Sequence, residues 1–277
     1  CQLTISGTQM ENEAQNIDVE LYIAGEIHVP ADYSTIQAAI NAAIDGDVII
    51  VAPNTYTGDI NFLGKEIRVQ SVDPSDWDTV NNTIIRSPGS GACVSFINHE
   101  GRGSRLEGFT VTNGACGIIC LNSSPTINRC IITKNGGDSS NPKASSGGGI
   151  GLAQECRAII SNCYIIQNYA QTTGGAIYTI GADPELITPI IRNCTIVQNI
   201  TTDGWVFSYQ NAAAVDIYNS RATIINSIIS NRSFGGPTDF VGNVLVSDPT
   251  LISYSCINGF VLTSLHGLST FDFSSIN

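Results

Sequence analysis

The sequence is poor in charge, and in positive charge above all. Of 277 residues only 13% are charged, with 12 Lys and Arg against 24 Asp and Glu, giving a formal net charge of −12. Phosphate backbones are held by clustered basic side chains, so nucleic acid is excluded as a partner. Long apolar runs are missing too, and no stretch approaches the roughly 18 apolar residues of a membrane span. No secretory signal is legible, although a mature chain would have lost one. Cys1 fits the lipid-bearing first residue of a processed lipoprotein and an arbitrary boundary equally well. His and Cys do not cluster at metal-ligand spacing, which leaves no metal centre to predict from them. What the chain has in abundance is Gly, Asn, Ser, Thr and Ile, a composition suited to many short strands and tight turns.

The strands announce themselves by repetition. "RNCTIVQN" (192–199) nearly copies "SNCYIIQN" (161–168), and "NRCIITKN", "INSIISN" and "EGFTVTN" end at Asn135, Asn231 and Asn113. The equivalent positions Phe109, Cys130, Cys163, Cys194, Ser227 and Cys256 recur every roughly 20 to 33 residues, the range of a solenoid repeat. A second short strand precedes each octet: "ACVSFIN", "CGIICLN", "GGGIGLA", "GGAIYTI" and "AAVDIYN". Period-2 alternation and β-branched residues mark strands with one buried face, and Gly or Ala at their entry allows sharp corners.

If the coils stack, Cys130, Cys163 and Cys194 lie above one another at about 4.8 Å. That separation permits a disulfide, but three in a row cannot all pair, so a ladder of buried thiols is the reading and one disulfide the alternative. On this reading Cys163→Ser would bury an unsatisfied hydroxyl. Cys116 and Cys120, four residues apart on a strand, are too far from each other to pair. The recurring Asn113, Asn135, Asn168, Asn199 and Asn231 sit where the strand must bend, where Asn tolerates left-handed angles. Stacked turns would let the amides of Asn135, Asn168 and Asn199 bond as a ladder.

Upstream, "YSTIQAAINAAIDGD" spells a helix near 34–45. Ser34 and Gln37 form a capping box, Ile36, Ala39, Ile40, Ala43 and Ile44 an apolar face, and Gly46 a stop. Such a helix can cover the open first coil of a solenoid. This helix, with the strands "DGDVIIVAPNTY" and "GKEIRVQS", resembles the N-terminal cap of right-handed parallel β-helices of the pectin-lyase-like superfamily. The "NC-x-I-x-x-N" coils are similar to repeats in large secreted or surface proteins of planctomycete-type bacteria, and the resemblance covers roughly residues 27–260. The expected fold is all-β: a right-handed parallel β-helix of about seven to eight coils with a short N-terminal capping helix. Residues 1–26 form a strand-like extension and residues 27–277 the domain.

Many members of that superfamily act on acidic polysaccharides, but their catalytic motifs do not line up here. The Gln, Asp and Arg motifs of pectin methylesterases are missing, "TDFVGN" (238–243) having no "QDT" upstream. The polygalacturonase combination of paired aspartates, His-Gly and Arg-x-Lys is missing as a set. A lyase needs a basic side chain beside a calcium-binding acidic cluster. Only Asp183, Glu185 and Asp216 come near, and Asp183 and Glu185 read first as turn carboxylates and only then as calcium ligands. His99 in "NHEGRGSR" reads as part of a solvated charged loop.

No catalytic residue is assigned, and no cofactor is expected beyond calcium. "GWVFSYQ" places Trp205, Phe207 and Tyr209 on one face of a long excursion, as loop packing or as a platform for sugar rings, with Tyr178 and Asp216 on neighbouring coils as polar contacts. Asn81, Asn122, Asn193, Asn199 and Asn231 open Asn-x-Ser/Thr sequons. The leading function is a non-catalytic extracellular or cell-surface structural and adhesive module. A polysaccharide lyase or hydrolase, or a carbohydrate-binding module, is the alternative. Because no helix covers the C-terminal end, the expected partner is another copy, joined head to tail through residues 1–26, alongside an extracellular polysaccharide.

Overall fold

The computed structural model describes residues 24–137, 141, 143–144, 146–201, 215–230, 244–246, 251–253, 255–257 and 260–262. Three parallel sheets run the length of these residues. The first has nine strands, from Glu26–Val29 through Val48–Val51 to Leu251–Ser253. The second has eight, from Asn54–Thr57 to Cys256–Ile257, and the third eight, from Ile60–Asn61 to Phe260–Leu262. The chain visits the sheets in the same order each time, as in Thr126–Asn128, Ile131–Thr133 and Ile150–Ala153. The result is a right-handed parallel β-helix of eight coils behind one extra strand.

Alternation along each strand sends every second residue inward, and in-register stacking turns those residues into columns. Ile127, Ile160, Ile191 and Ile224 form one, Ile132, Ile165, Ile196 and Ile229 a second, and Ile118, Ile150, Ile177 and Val215 a third. All twelve are fully buried. Each is worth roughly 1.5–3 kcal/mol over exposure, and like side chains repeat at a fixed spacing, which fixes the register. Toward the N-terminus larger groups fill the bore, Phe62 and Phe96 lying with ring centroids 4.2 Å apart.

Three corners per coil let the chain turn, and most of those in the middle coils are made by one residue in the left-handed region. Gly108, Arg129, Asn162, Asn193 and Asn226 turn the first sheet into the second. Asn113, Lys134, Gln167 and Gln198 turn the second toward the third, and His99, Asn122, Gln154 and Asn219 the third back to the first. This corrects one sequence expectation. Asn135, Asn168 and Asn199 do not take left-handed angles; the residue before each of them does. Asn113 is itself the left-handed residue of its coil, and Gly114 occupies the place of the later asparagines, its N–H donating to Asn135 Oδ1 at 3.0 Å.

The N-terminal end is closed by helix α1, Ile36–Ala42, which buries Ile36, Ala39 and Ile40 against the core. Its N-cap is Thr35, whose Oγ1 accepts from Ala38 N at 3.1 Å, and not Ser34. Gln37 makes no capping box; its amide reaches across to the backbone of Asn61. Ile44 falls outside the helix and is exposed. The first strand's outer edge is blunted, because His28 N donates to Asp32 Oδ2 and His28 O accepts from Asp32 N. A second helix, α2, Trp77–Asn82, was not anticipated. Asp76 caps it, Val80 O accepts from Thr110 Oγ1 of the second sheet, and Trp77 meets Tyr164 edge-on at 4.8 Å. Among the described residues no helix is long and apolar enough to cross a membrane.

Candidate functional site

The outer face of the third sheet carries the arrangement most suited to a ligand. Outward positions on successive coils form a row of Ser95, Ile119, Gly151, Tyr178 and Asp216. Beside it runs a second row, Leu121, Ala153, Ile180 and Tyr218. Ile180 and Tyr218 are 39% and 45% exposed, and Ile97, just beyond the strand Ala92–Phe96, is 41% exposed. Exposed apolar side chains thus stand in register beside a half-buried Tyr178 and a buried carboxylate. The rows contain no Lys, Arg or His, and a single carboxylate.

That carboxylate is Asp216. Parallel pairing sets it beside Tyr178, so two residues 38 positions apart in sequence become direct neighbours. Its position is outward by alternation, yet only 4% of its surface is exposed. Thr173 Oγ1 donates to its Oδ2, while Oδ1 is buried without a hydrogen-bond partner. Burial therefore wins over the Thr173 hydrogen bond and raises the Asp216 pKa to about 6. The Tyr178 phenol is also raised, first by its own burial, then by the charge of Asp216 and by Tyr218. Gly147 and Gly174 lie against Tyr178: a Cβ at Gly174 would meet the Tyr178 Cβ at 2.8 Å, and Gly174 has φ +59°. These glycines let the neighbouring loops pass close to the Tyr178 Cβ.

Sequence reasoning named Tyr178 and Asp216 but missed Tyr218, Ile180 and Thr173. The alternation in "AAVDIYN" and "GGAIYTI" held the signal, because it puts Tyr178, Ile180, Asp216 and Tyr218 on one face. Trp205, Phe207 and Tyr209 lie outside the described residues, in the sequence joining Ile200–Thr201 to Val215–Tyr218. Asp183 and Glu185 are occupied elsewhere. Asp183 Oδ1 accepts from Glu185 N at 2.9 Å to close its own turn, and the Glu185 carboxylate pairs with Arg221. Among the described residues no three His, Cys, Asp or Glu side chains gather at a metal-binding distance. His99 is an exposed corner residue.

The two interior ladders are structural. Asn135 Nδ2 donates to Asn168 Oδ1 at 3.0 Å, and Asn168 Nδ2 to Asn199 Oδ1 at 3.0 Å. Each Oδ1 also accepts the backbone N–H of the preceding ladder residue, and the spare amide hydrogens go to carbonyls such as Val111 O and Ile132 O. Cys93 closes one end, its thiol donating to Asn135 Oδ1 at 3.4 Å. Asn199 is fully buried in this ladder, so its sequon is closed to an oligosaccharide in the folded chain, whereas Asn81 and Asn193 are exposed.

Cys130, Cys163 and Cys194 are buried thiols, each donating to the carbonyl two residues back, at 3.3, 3.2 and 3.2 Å. Cys163 contacts both neighbours, and burial raises its pKa. Burial likewise pushes Cys93 and Cys116 up to about 12. The column continues through Ser227 to Ser255, not to Cys256, which pairs with Ile228 instead. Cys120 and Cys156, both buried free thiols, lie close to each other from adjacent coils, a pairing that the sequence analysis did not anticipate.

No family model and no curated protein matches the sequence. Among solved structures the chain is similar to a pectin methylesterase from carrot, with a TM-score of 0.47 and 12% identity over 87% of each chain. It is also similar to the pectate lyase Pel9A, with a TM-score of 0.39 and 14% identity, covering 90% of this chain and 80% of that one. At these values neither likeness bears on activity or ligand.

Proposed function

We propose that the chain is a non-catalytic extracellular structural and adhesive module that holds a polysaccharide on the outer face of its third sheet. The observation that carries this reading is the pair of outward rows: Tyr218 and Ile180 exposed in register beside a half-buried Tyr178, with one carboxylate and no cation. Aromatic rings stack on the apolar faces of sugar rings while hydroxyls at the rim take hydrogen bonds. Acid–base catalysis needs a second group placed against the first, and Asp216 has none beside it except a phenol and a hydroxyl. A uronate would meet a carboxylate with no basic side chain to neutralise it, on a chain already at −12.

The test is co-sedimentation with insoluble neutral and uronate-rich polysaccharides, with wild type beside Tyr178→Ala and Tyr218→Ala. Retention by a polysaccharide that both substitutions weaken is expected. A parallel product assay on uronates, with and without calcium, separates the readings, since unsaturated or shortened products would replace the adhesive role by an enzymatic one.

A further inference from the structure

A cavity of about 310 Å³ opens at the other end of the solenoid, between the start of α1 and the first strand of the second sheet. Its accessible apolar lining comes from Pro30 and Tyr56, with Ile36, Ile60 and Ile85 buried behind them, and its wall is polar, from Ser34, Thr55, Thr57, Gln37, Asn54 and Asp59. Several wall groups are committed to the fold. Gln37 is tied to Asn41 and Asn61, Asn54 Oδ1 accepts from Thr55 N, and the Tyr56 hydroxyl donates to Ala52 O at 2.9 Å. Others are not. The Asp59 carboxylate makes no hydrogen bond or ion pair among the described residues, and the hydroxyls of Ser34, Thr55 and Thr57 point to no protein partner.

Asp59 is the only charged group in this lining. Arg86, the register partner of Thr57 on the next coil, is exposed and outside it. A Cβ at Gly91 would come within 2.7 Å of Asp59 Oδ2, so a side chain there would push the carboxylate out of its present place. A concave site of this size with an apolar patch, a hydroxyl-rich wall and one uncompensated carboxylate selects a ligand with three matching features. It needs one positive charge, several hydroxyls and an apolar carbon face.

We infer that this cavity binds an amino sugar, its ammonium on Asp59, its hydroxyls on Ser34, Thr55 and Thr57, and its ring against Pro30 and Tyr56. This site is distinct from the third-sheet face and does not depend on the function proposed for it. An ammonium could equally come from a lysine side chain, which lacks the hydroxyls, and the assay separates the two.

Glucosamine, glucose, N-acetylglucosamine and Nα-acetyl-lysine methylamide are titrated into the full chain at about pH 6, where the amines are charged, with binding followed by calorimetry and ligand-observed NMR. Glucosamine should bind about tenfold or more tightly than the other three. Asp59→Asn and Gly91→Ala should each weaken it about tenfold, the second by displacing the carboxylate, while Tyr178→Ala leaves it unchanged. Asp59 is exposed, so its substitution leaves the fold intact. Equal binding of glucosamine and glucose, an Asp59→Asn chain that binds as wild type, or a lysine derivative as tight as glucosamine would each overturn the assignment.

Discussion

A buried carboxyl with one oxygen unpartnered is a standing cost, and Asp216 shows how that cost depends on pH. Its pKa is raised from 3.8 to about 6, so the folded chain holds the proton more tightly than the unfolded chain. The associated stability is full in acid and is lost as pH rises from about 4 through 6, amounting to about 3 kcal/mol above that window. Asp216→Asn should therefore stabilise the protein at neutral pH and leave it unchanged near pH 4, read from thermal melts across the range. An equal effect at both ends would show that Asp216 is not buried as described.

The asparagines divide in the same way by burial. Asn168→Leu breaks bonds on both sides inside the bore and should cost about 3 kcal/mol or more in denaturant unfolding. Asn162→Ala removes two links of an outer, half-exposed row, Asn162 Nδ2 to Asn128 Oδ1 and Asn193 Nδ2 to Asn162 Oδ1, and puts alanine at a left-handed corner, so it should cost about 1–2 kcal/mol, less than the buried change. For the thiols the structure revises the expected penalty. Ser227, in the same column, donates to Ile225 O at 3.0 Å and accepts from Cys194 N at 3.2 Å. A hydroxyl is satisfied there, so Cys163→Ser should cost no more than about 1 kcal/mol in the same measurement.

At the scale of elements, the corner residues and caps carry most of the local specification. A non-glycine residue in the left-handed region costs roughly 1–2 kcal/mol, yet most corners of the middle coils accept one, as at Arg129, Lys134 and Gln154, because stacking turns at a single residue keeps the columns in register. The capping helix gives a direct test. Thr35→Ala should lower stability by about 1 kcal/mol, whereas Ser34→Ala should be neutral, since only Thr35 accepts from the helix. The reverse ranking in chemical denaturation would restore the capping box that the sequence suggested. Helix α2 escaped sequence analysis because its six residues are too few to show a helical period. Asp76 as cap was its only signal, and a lone Asp before a short polar stretch reads equally as a turn.

At the scale of the whole molecule, the two ends differ. The N-terminal end is closed by α1, and its edge strand has the outward N–H and C=O of His28 satisfied by Asp32. Among the described residues no helix covers the last coil, Leu251–Ser253, Cys256–Ile257 and Phe260–Leu262. Head-to-tail assembly is proposed from that asymmetry, with residues 1–23 of the expected 1–26 arm of one copy pairing with the last coil of the next, since Glu26 belongs to the first strand of its own sheet. Sizing chromatography and electron microscopy should show concentration-dependent oligomers for the full chain and monomers when residues 1–23 are removed. Monomers in both cases at high concentration would remove the idea.

The sequence by itself determined the architecture, because a solenoid writes its fold locally. Each octet holds its own alternation, its buried Cys or Ser, and its Asn, and parallel stacking repeats them, so columns such as Cys130, Cys163 and Cys194 were legible without coordinates. The tertiary structure alone decided what depends on register between coils. It showed that Lys134 and Gln167, rather than Asn135 and Asn168, take the left-handed turns, and that the thiol column passes to Ser255. It also set Tyr178 directly beside Asp216 and Ile180 beside Tyr218, and placed Asp59 in the lining of a cavity at the cap. A single-residue offset within a corner leaves the composition and period of the repeat unchanged, so no pattern in the sequence could report it. Sites assembled from different coils are set by pairing across 20 or more residues, and only the stacked backbone fixes which outward side chains meet.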